Sequence, residues 1–279
     1  MVGVEETAVI LFSLECPAGR NIATQLTTNG FTPAEETACG GRKLATWKNK
    51  EGLRLIQVKE RLSRDAEYLS QLPLPEGELL VFLSRHRSEN GPPVFTVHST
   101  GNWGSDPERG GRPRELARTS ATAVAAAFEY FRSHPLDGFQ LNLEATHHGP
   151  TSLPWPSLFV EVGSGEKEWQ NTQACAIVAD AALAACCGYR KTRGSVALGF
   201  GGTHYCPKFG ELEARDYCFS HVAPRYACDG LDEKLLAQAV NKTVEKIDCA
   251  VLDWKGLGSE QRKKAISLLE QSGLAWEKA

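Results

Sequence analysis

Residues 157–200 read SLFVEVGSGEKEWQNTQACAIVADAALAACCGYRKTRGSVALGF. Ser157–Val162 is a short apolar run with β-branched residues, the pattern of a buried strand. Residues 166–187 follow with helical spacing. Ala174, Ile177, Val178, Ala181 and Ala185 share one face, and Gly188 stands where a helix would end. Ser195–Phe200 returns as a strand. Strand, helix and strand in succession are the repeating unit of a layered α/β sheet.

The alternation extends outward. Ala8–Leu14 reads as a strand, and the Pro17-Ala-Gly19 turn leads into a helix over about 20–29, closed by Gly30. Residues 44–48 and 53–58 read as a hairpin around Asn49-Lys-Glu-Gly52. Leu79–Ser84 and Val94–His98 are two closely spaced strands. Residues 114–133 carry the stripe Leu116, Ala117, Ser120, Val124, Ala127, Phe128 and Phe131, which predicts a helix. Gly138–Glu144 and Asp248–Asp253 are strands, and 259–272 is an amphipathic helix. The hairpin and the close strand pair make the sheet mixed. No repeat or low-complexity linker divides the chain. The expectation is one large α/β domain over residues 1–279, a mixed β-sheet flanked by helices.

The 279 residues are 42% hydrophobic and 23% charged, an ordinary globular balance. A chain of this size buries roughly three quarters of its unfolded surface. A net charge of -3 excludes coating nucleic acid by bulk charge but leaves room for a local basic groove. The nine cysteines are odd in number, irregularly spaced and without a CxxC pair, which suits a reducing compartment. Residues 8–14 are too short an apolar run for a signal or membrane helix. The chain reads as a soluble cytoplasmic protein with no membrane association, a monomer or weak dimer.

Five of the seven histidines stand at or just after a strand: His86, His98, His147, His148 and His204. A sheet that brings strand ends together would gather them into one pocket. The sharpest segment is Glu144-Ala-Thr-His-His-Gly-Pro-Thr151. In extended chain, His147 and His148 point to opposite sides, so one of them faces a substrate. Gly149-Pro150 fixes a turn that lets backbone approach a ligand. A structural turn with surface histidines is the competing reading. Glu161 lies inside an apolar strand, where a carboxylate needs a cation, a histidine or a metal. Gly163-Ser-Gly165 opens the next helix, whose first N–H groups can take an anion or be capped by Ser164. Gly199-Phe-Gly-Gly-Thr-His-Tyr-Cys-Pro207 presents His204 and Tyr205 from a loop in which Gly201 and Gly202 permit close approach. Arg109-Gly-Gly-Arg-Pro-Arg-Glu-Leu-Ala-Arg118 places arginines at a helix start. The helix dipole disfavours cations there unless an anionic ligand is bound; Arg112 and Arg114 are the candidates, with a solvated basic loop as the alternative.

Together these segments resemble the archaeal and plant type of D-aminoacyl-tRNA deacylase. The matching pieces are Ser84-Arg-His-Arg-Ser88, Thr96-Val-His98 with Gly101-Asn102, Glu144–Thr151, Glu161–Ser164 with Trp169, Gly199–Pro207 and Asp253-Trp-Lys-Gly256. The resemblance spans about residues 8–272. It implies hydrolysis of the ester joining a D-amino acid to the tRNA 3′ end, which releases tRNA and D-amino acid and keeps D-residues out of translation. It also implies zinc (Zn2+) dependence and a mixed α/β sheet similar to peptidyl-tRNA hydrolases and nucleoside phosphorylases. Plant members also clear aldehyde-modified D-aminoacyl-tRNAs.

On this reading His147 or His148 activates water, directly or through zinc. Glu144 or Glu161 orients that histidine or completes the metal shell, and His86, His98 and His204 are metal ligands. Gly149, Pro150, Thr151, Gly163, Ser164, Gly201, Gly202, Tyr205, Arg112 and Arg114 contact substrate, with N–H groups of the two glycine loops holding the oxyanion. The tRNA's own terminal hydroxyl is an alternative catalyst, with the protein positioning it. Two other classes compete: a metal-dependent amidohydrolase using the same His and Glu, and a non-catalytic RNA-binding module.

Overall fold

The structure is a computed structural model, and it describes residues 8–107 and 109–279. Residues 1–7 and 108 of the expected domain lie outside the described residues. The chain opens with β1 (Ala8–Ser13), α1 (Pro17–Thr28), β2 (Thr32–Pro33), β3 (Thr37–Cys39), β4 (Arg42–Leu44), β5 (Thr46–Lys48) and β6 (Arg54–Val58). It continues through β7 (Leu79–Arg85), β8 (Val94–Ser99), α2 (Ala121–Ser133), β9 (Gln140–Leu143) and β10 (Ser157–Gly163). Next come α3 (Glu166–Trp169), α4 (Thr172–Gly188), β11 (Ser195–Phe200), α5 (Pro207–Glu213) and β12 (Tyr217–Ala223). The last elements are α6 (Arg225–Cys228), α7 (Glu233–Asn241), β13 (Cys249–Leu252), α8 (Ser259–Gln271) and β14 (Trp276–Lys278).

The expected large mixed sheet is present, with eight strands in the order β2-β5-β6-β1-β7-β10-β8-β9. β10 lies parallel to β7 and antiparallel to β8. A second sheet, β12-β11-β13-β14, is parallel throughout, and β3-β4 is a separate ribbon. The unit that opened the sequence reading therefore crosses between sheets, because β10 is in the first and β11 in the second.

Strand periodicity gives the first sheet two unlike faces. Leu79, Val81, Leu83, Phe95, Val97, Leu158, Val160 and Val162 pack into one core with residues of α1, α2 and α4. The alternate positions carry Leu80, Phe82 and Phe159, which join a smaller core with Val9 and Leu11. The same set continues into Thr96, His98 and Glu161. Register pairs Glu161 with Ser84 on one side and Thr96 on the other, and Phe159 with His98. One face is thus sealed by helices, and the other passes from apolar to polar along the strands.

Three helix boundaries differ from the sequence reading. Residues 114–120 are loop, and α2 begins only at Ala121, where Ser120 Oγ accepts the Ala123 N–H. Leu116 and Ala117 are buried, so loop packing imitates a helical stripe. The arginine cluster therefore does not start a helix, and the dipole argument for an anion there fails. The helix over 166–187 is two helices, because Asn171 Oδ1 caps a new start at Ala174 N–H. The first of them is capped at Gly165, whose N–H donates to Glu168, while Ser164 Oγ donates to Pro92 O instead. The first helix starts at Pro17 rather than after a turn, with Cys16 as its N-cap. The hairpin around Asn49 forms as expected, with Asn49 Oδ1 accepting from Leu53 N–H. Among the described residues no helix is long and apolar enough to cross a membrane.

One buried acid makes the second sheet pH-sensitive. Glu213 ends α5 and accepts the Phe219 N–H of β12 at 2.7 Å. Burial pushes its carboxyl up to about 8, against the Phe219 hydrogen bond and the Arg193 charge. The folded protein therefore holds this proton across a range where the unfolded chain has lost it. Stability falls as pH rises from about the ordinary glutamate value toward 8, by on the order of a few kcal/mol. Glu213→Gln should flatten that dependence and melt higher than wild type at pH 8–9. Parallel Tm-versus-pH curves for the two proteins would show that Glu213 is ionised in the fold.

Candidate active site

Glu144 stands at the centre. It follows β9 directly, and its carboxylate is buried. His86 Nδ1 lies 3.0 Å from Oε1 and His204 Nε2 3.6 Å from it. His98 Nε2 is 3.8 Å and His147 Nε2 4.0 Å from Oε2. Neither Glu144 oxygen has an aligned hydrogen-bond partner, and nor does His98 Nε2. Burial alone would raise Glu144, but His204 and His86 hold its carboxyl well below the usual carboxylate range. Glu161 is the second buried acid. Its Oε2 accepts from Thr96 Oγ1 at 3.2 Å and lies 3.8 Å from both His86 Nδ1 and His98 Nε2. Two buried carboxylates on shared imidazoles need positive charge beside them.

The imidazoles fall into two kinds. His98, His147 and His148 each set Nδ1 against a backbone carbonyl: Ser99 O at 3.1 Å, Ala145 O at 2.8 Å and Gly149 O at 2.7 Å. Such bonds fix the Nδ1–H tautomer and leave Nε2 as the lone-pair atom, the arrangement of a metal-ligating histidine. Burial, then the His98 and His148 charges, hold His147 well below the ordinary imidazole range. Burial and His98 push His148 down to about 3. Both rings are therefore neutral, as ligation requires. His86 differs. Burial lowers it, but Glu144 and then Glu161 outweigh burial and raise it. Its Nε2 meets the Tyr205 hydroxyl at 3.2 Å. Burial also lowers His98, and Glu161 and Glu144 reverse the sign.

His147 and His148 do not diverge as extended chain would make them. His148 has φ +46°, in the left-handed region, which cancels the alternation. Their ring centroids lie 4.4 Å apart, and both are within 5 Å of the His98 ring. Three donor sets lie close enough for one ion each: His98, His147 and His148; Glu144, His147 and His204; His86, Glu144 and Glu161. These clusters could hold a metal. The orphaned His98 Nε2 and Glu144 oxygens, and the all-nitrogen-and-oxygen donor chemistry, fit a divalent ion such as zinc.

The site opens into a cleft of about 1120 Å³, with His86, His147, His148, Glu161, His204 and Tyr205 in its wall. Glu144 and His98 lie beneath. All five histidines singled out in the sequence meet here, from both sheets. The loop after β9 is the joint: Ala145 N–H donates to His204 O and Thr146 N–H to Val222 O.

The family model of D-aminoacyl-tRNA deacylase matches residues 75–277, the stretch that carries all five histidines and both buried carboxylates. The chain belongs to the D-aminoacyl-tRNA deacylase family. A deacylase of that name from Thermococcus onnurineus is 41% identical over 71% of this chain and 72% of its own length. One from Pyrococcus horikoshii is 35% identical over 97% of this chain and 99% of its own. A crystal structure of a conserved protein of unknown function is 30% identical and superimposes with TM-score 0.84, covering 98% of this chain and 95% of that one.

Other expected contact residues of this deacylase-family chain lie outside the cleft wall. Arg114 pairs with Asp232 at 2.6 Å and donates to Gly230 O, and Arg112 donates its N–H to Thr151 Oγ1 at 2.9 Å. Both arginines and Thr151 thus brace the loop. Gly163 leaves no room beside the His86 backbone, 2.5 Å from where a Cβ would sit, so its close approach is to protein. Gly201 N–H donates to Ala223 O and Gly165 N–H to Glu168, so neither is free for an oxyanion. Gly201 and Gly202 pack on the Asp253–Gly256 turn instead. The sequence reading passed over Arg61, Arg64 and Tyr226, which line the cleft, and His221, buried on the unrecognised strand β12 with Nδ1 3.3 Å from Thr146 Oγ1. Tyr217–Ala223 mixes His, Ser and Cys into its apolar run, which hid the strand.

Gly149 and Pro150 act from behind the wall. A Cβ on Gly149 would meet Gly111 N at 2.4 Å and Ser63 O at 2.7 Å, and one on Gly110 would meet Ser63 O at 2.0 Å. Three loops, those of Ser63, Gly111 and His148, interlock at these glycines. Gly149→Ala should force them apart and cost about 1–3 kcal/mol, a fall of several degrees in Tm. An unchanged melt would show that the loops part freely.

Proposed function

We propose that this chain hydrolyses the ester of D-aminoacyl-tRNA, releasing tRNA and D-amino acid as a proofreading step in translation, with zinc as its metal. Family membership supports the substrate class. The observation that carries the chemistry is the pair of buried carboxylates encircled by histidines of two distinct kinds. His98, His147 and His148 have the tautomer of ligands, His147 and His148 also have the low basicity, and Glu144 with His204 completes a neighbouring donor set. When bound there, zinc would acidify water and polarise a carbonyl oxygen.

The chain's own proton acceptor is His86. Glu144 sits on its Nδ1 side, which orients the ring and stabilises the imidazolium. Its Nε2 faces Tyr205 Oη in the cleft wall, where it can take a proton from the attacking water and return it to the ribose oxygen as the acyl C–O bond breaks. This moves the base from His147 or His148 to His86, because rings held well below the ordinary imidazole range are poor bases. The depth of the cleft favours this reading over a surface RNA-binding module, and the family match favours it over an amidohydrolase. No substrate-facing residue is assigned to chiral selection.

Purified protein should release amino acid from D-aminoacyl-tRNA, spare the L-form and lose activity on chelation, with zinc found by metal analysis. Release at equal rates from both enantiomers would sink the reading.

His86→Gln should lower kcat by about 10²–10⁴-fold while retaining bound metal. His147→Ala should lose metal and activity together. If His86→Gln turns over normally and His147→Ala does not, the base is elsewhere.

A further inference from the structure

The cleft has a second zone that the histidine chemistry does not use. Arg61, Arg64, Arg85, Arg87 and Arg109 all line it. Arg61 faces Glu15 at 3.5 Å, and Arg85 lies over the Trp169 ring at 5.3 Å. Among the described residues Arg64, Arg87 and Arg109 have no ion pair or hydrogen bond from their side chains. A chain of net charge -3 has thus gathered unpaired guanidinium groups into one cleft. The interlocked glycine loops hold two of them in place, since Arg64 follows Ser63 and Arg109 precedes Gly110.

Tyr226 lines the same cleft, and it is 67% exposed. It and Leu14, at 41%, are the exposed large hydrophobic side chains among the described residues. Leu14 stands between Ser13 and Glu15, which also line the cleft. An aromatic face costs free energy when left in water at the mouth of a polar site. Arg109 and Glu144 both lie within electrostatic range of its hydroxyl, so the ring is near both the cationic side chains and the carboxylate floor.

We infer that Tyr226 is a stacking platform for the terminal base of a single-stranded RNA 3′ end, and that Arg64, Arg87 and Arg109 take its phosphates. Every nucleobase has a face that stacks on tyrosine, and guanidinium groups match phosphate oxygens in fork geometry. A base fixed at Tyr226 and a phosphate fixed at Arg109 hold the ribose between them, which sets its ester over the Glu144 and His86 floor. A cleft of about 1120 Å³ exceeds what a lone amino acid needs and suits a nucleotide with its neighbour. This inference rests on the deacylase reading and names the subsite that would make it specific for an RNA-borne ester.

The test measures binding, without turnover, of the trinucleotide CCA and of uncharged tRNA to the metal-loaded protein. Tyr226→Ala should weaken trinucleotide binding about 10-fold or more, and Tyr226→Phe should restore it. An exposed side chain leaves folding unaffected, and a melt of each variant checks this, with Tyr226→Gln as a second variant should the alanine form misfold. Arg64→Gln and Arg109→Gln should each reduce the slope of log K against log salt for uncharged tRNA by about 0.7. Wild-type trinucleotide affinity in Tyr226→Ala and Tyr226→Gln, or salt slopes unchanged in both arginine variants, would overturn the proposal. Tyr226-dependent binding in a protein that spares D-aminoacyl-tRNA would uphold the subsite and reject the deacylase reading.

Discussion

A carboxylate buried beside a second carboxylate is the constraint on which this structure turns. Glu144 and Glu161 are both buried, and they share His86 and His98 as neighbours. An uncompensated charge in such a place would cost several kcal/mol. The fold meets that cost by importing imidazoles from both sheets, and the resulting excess of nitrogen and oxygen donors is what makes a metal chemically reasonable. The same cluster that endangers stability supplies the reactivity.

The remainder of the fold serves to hold that cluster without covering it. Alternation along β7, β8 and β10 sends one set of side chains to α1, α2 and α4 and the other set toward the site. The loop after β9 then hydrogen-bonds to the second sheet at His204 and Val222. Glycines at 110, 111 and 149 let three loops meet at backbone distance, which holds the chain beside Arg64 and Arg109 at the cleft wall. Two of the oxyanion donors expected there, the Gly165 and Gly201 N–H groups, are spent on internal bonds, so those glycines serve assembly.

The strands were legible because their cause is local. A run such as Leu79–Ser84 carries its own evidence of burial, and Glu161 within Ser157–Val162 declared its need for a partner. Helix boundaries were less legible. Leu116 and Ala117 are buried by tertiary packing and mimic a helical stripe, while the real start is set by Ser120 and by Glu245, which accepts the Ala121 and Thr122 N–H groups from 124 and 123 residues away. No window of sequence contains that contact. The cleft's Arg61, Arg64 and Tyr226 carry no local signal either, being an ordinary loop and an ordinary short helix until the fold juxtaposes them.

By itself, then, the sequence determined the α/β class, most of the strands, and the set of histidines and carboxylates that had to meet, because periodicity and the penalty for a buried charge act within a few residues. Tertiary structure decided the roles. The left-handed backbone of His148 put both neighbouring rings on one side, three carbonyls fixed three tautomers, and Glu144 was placed against His86 rather than against His148. Those assignments depend on distances between segments far apart in the chain, and only packing sets such distances.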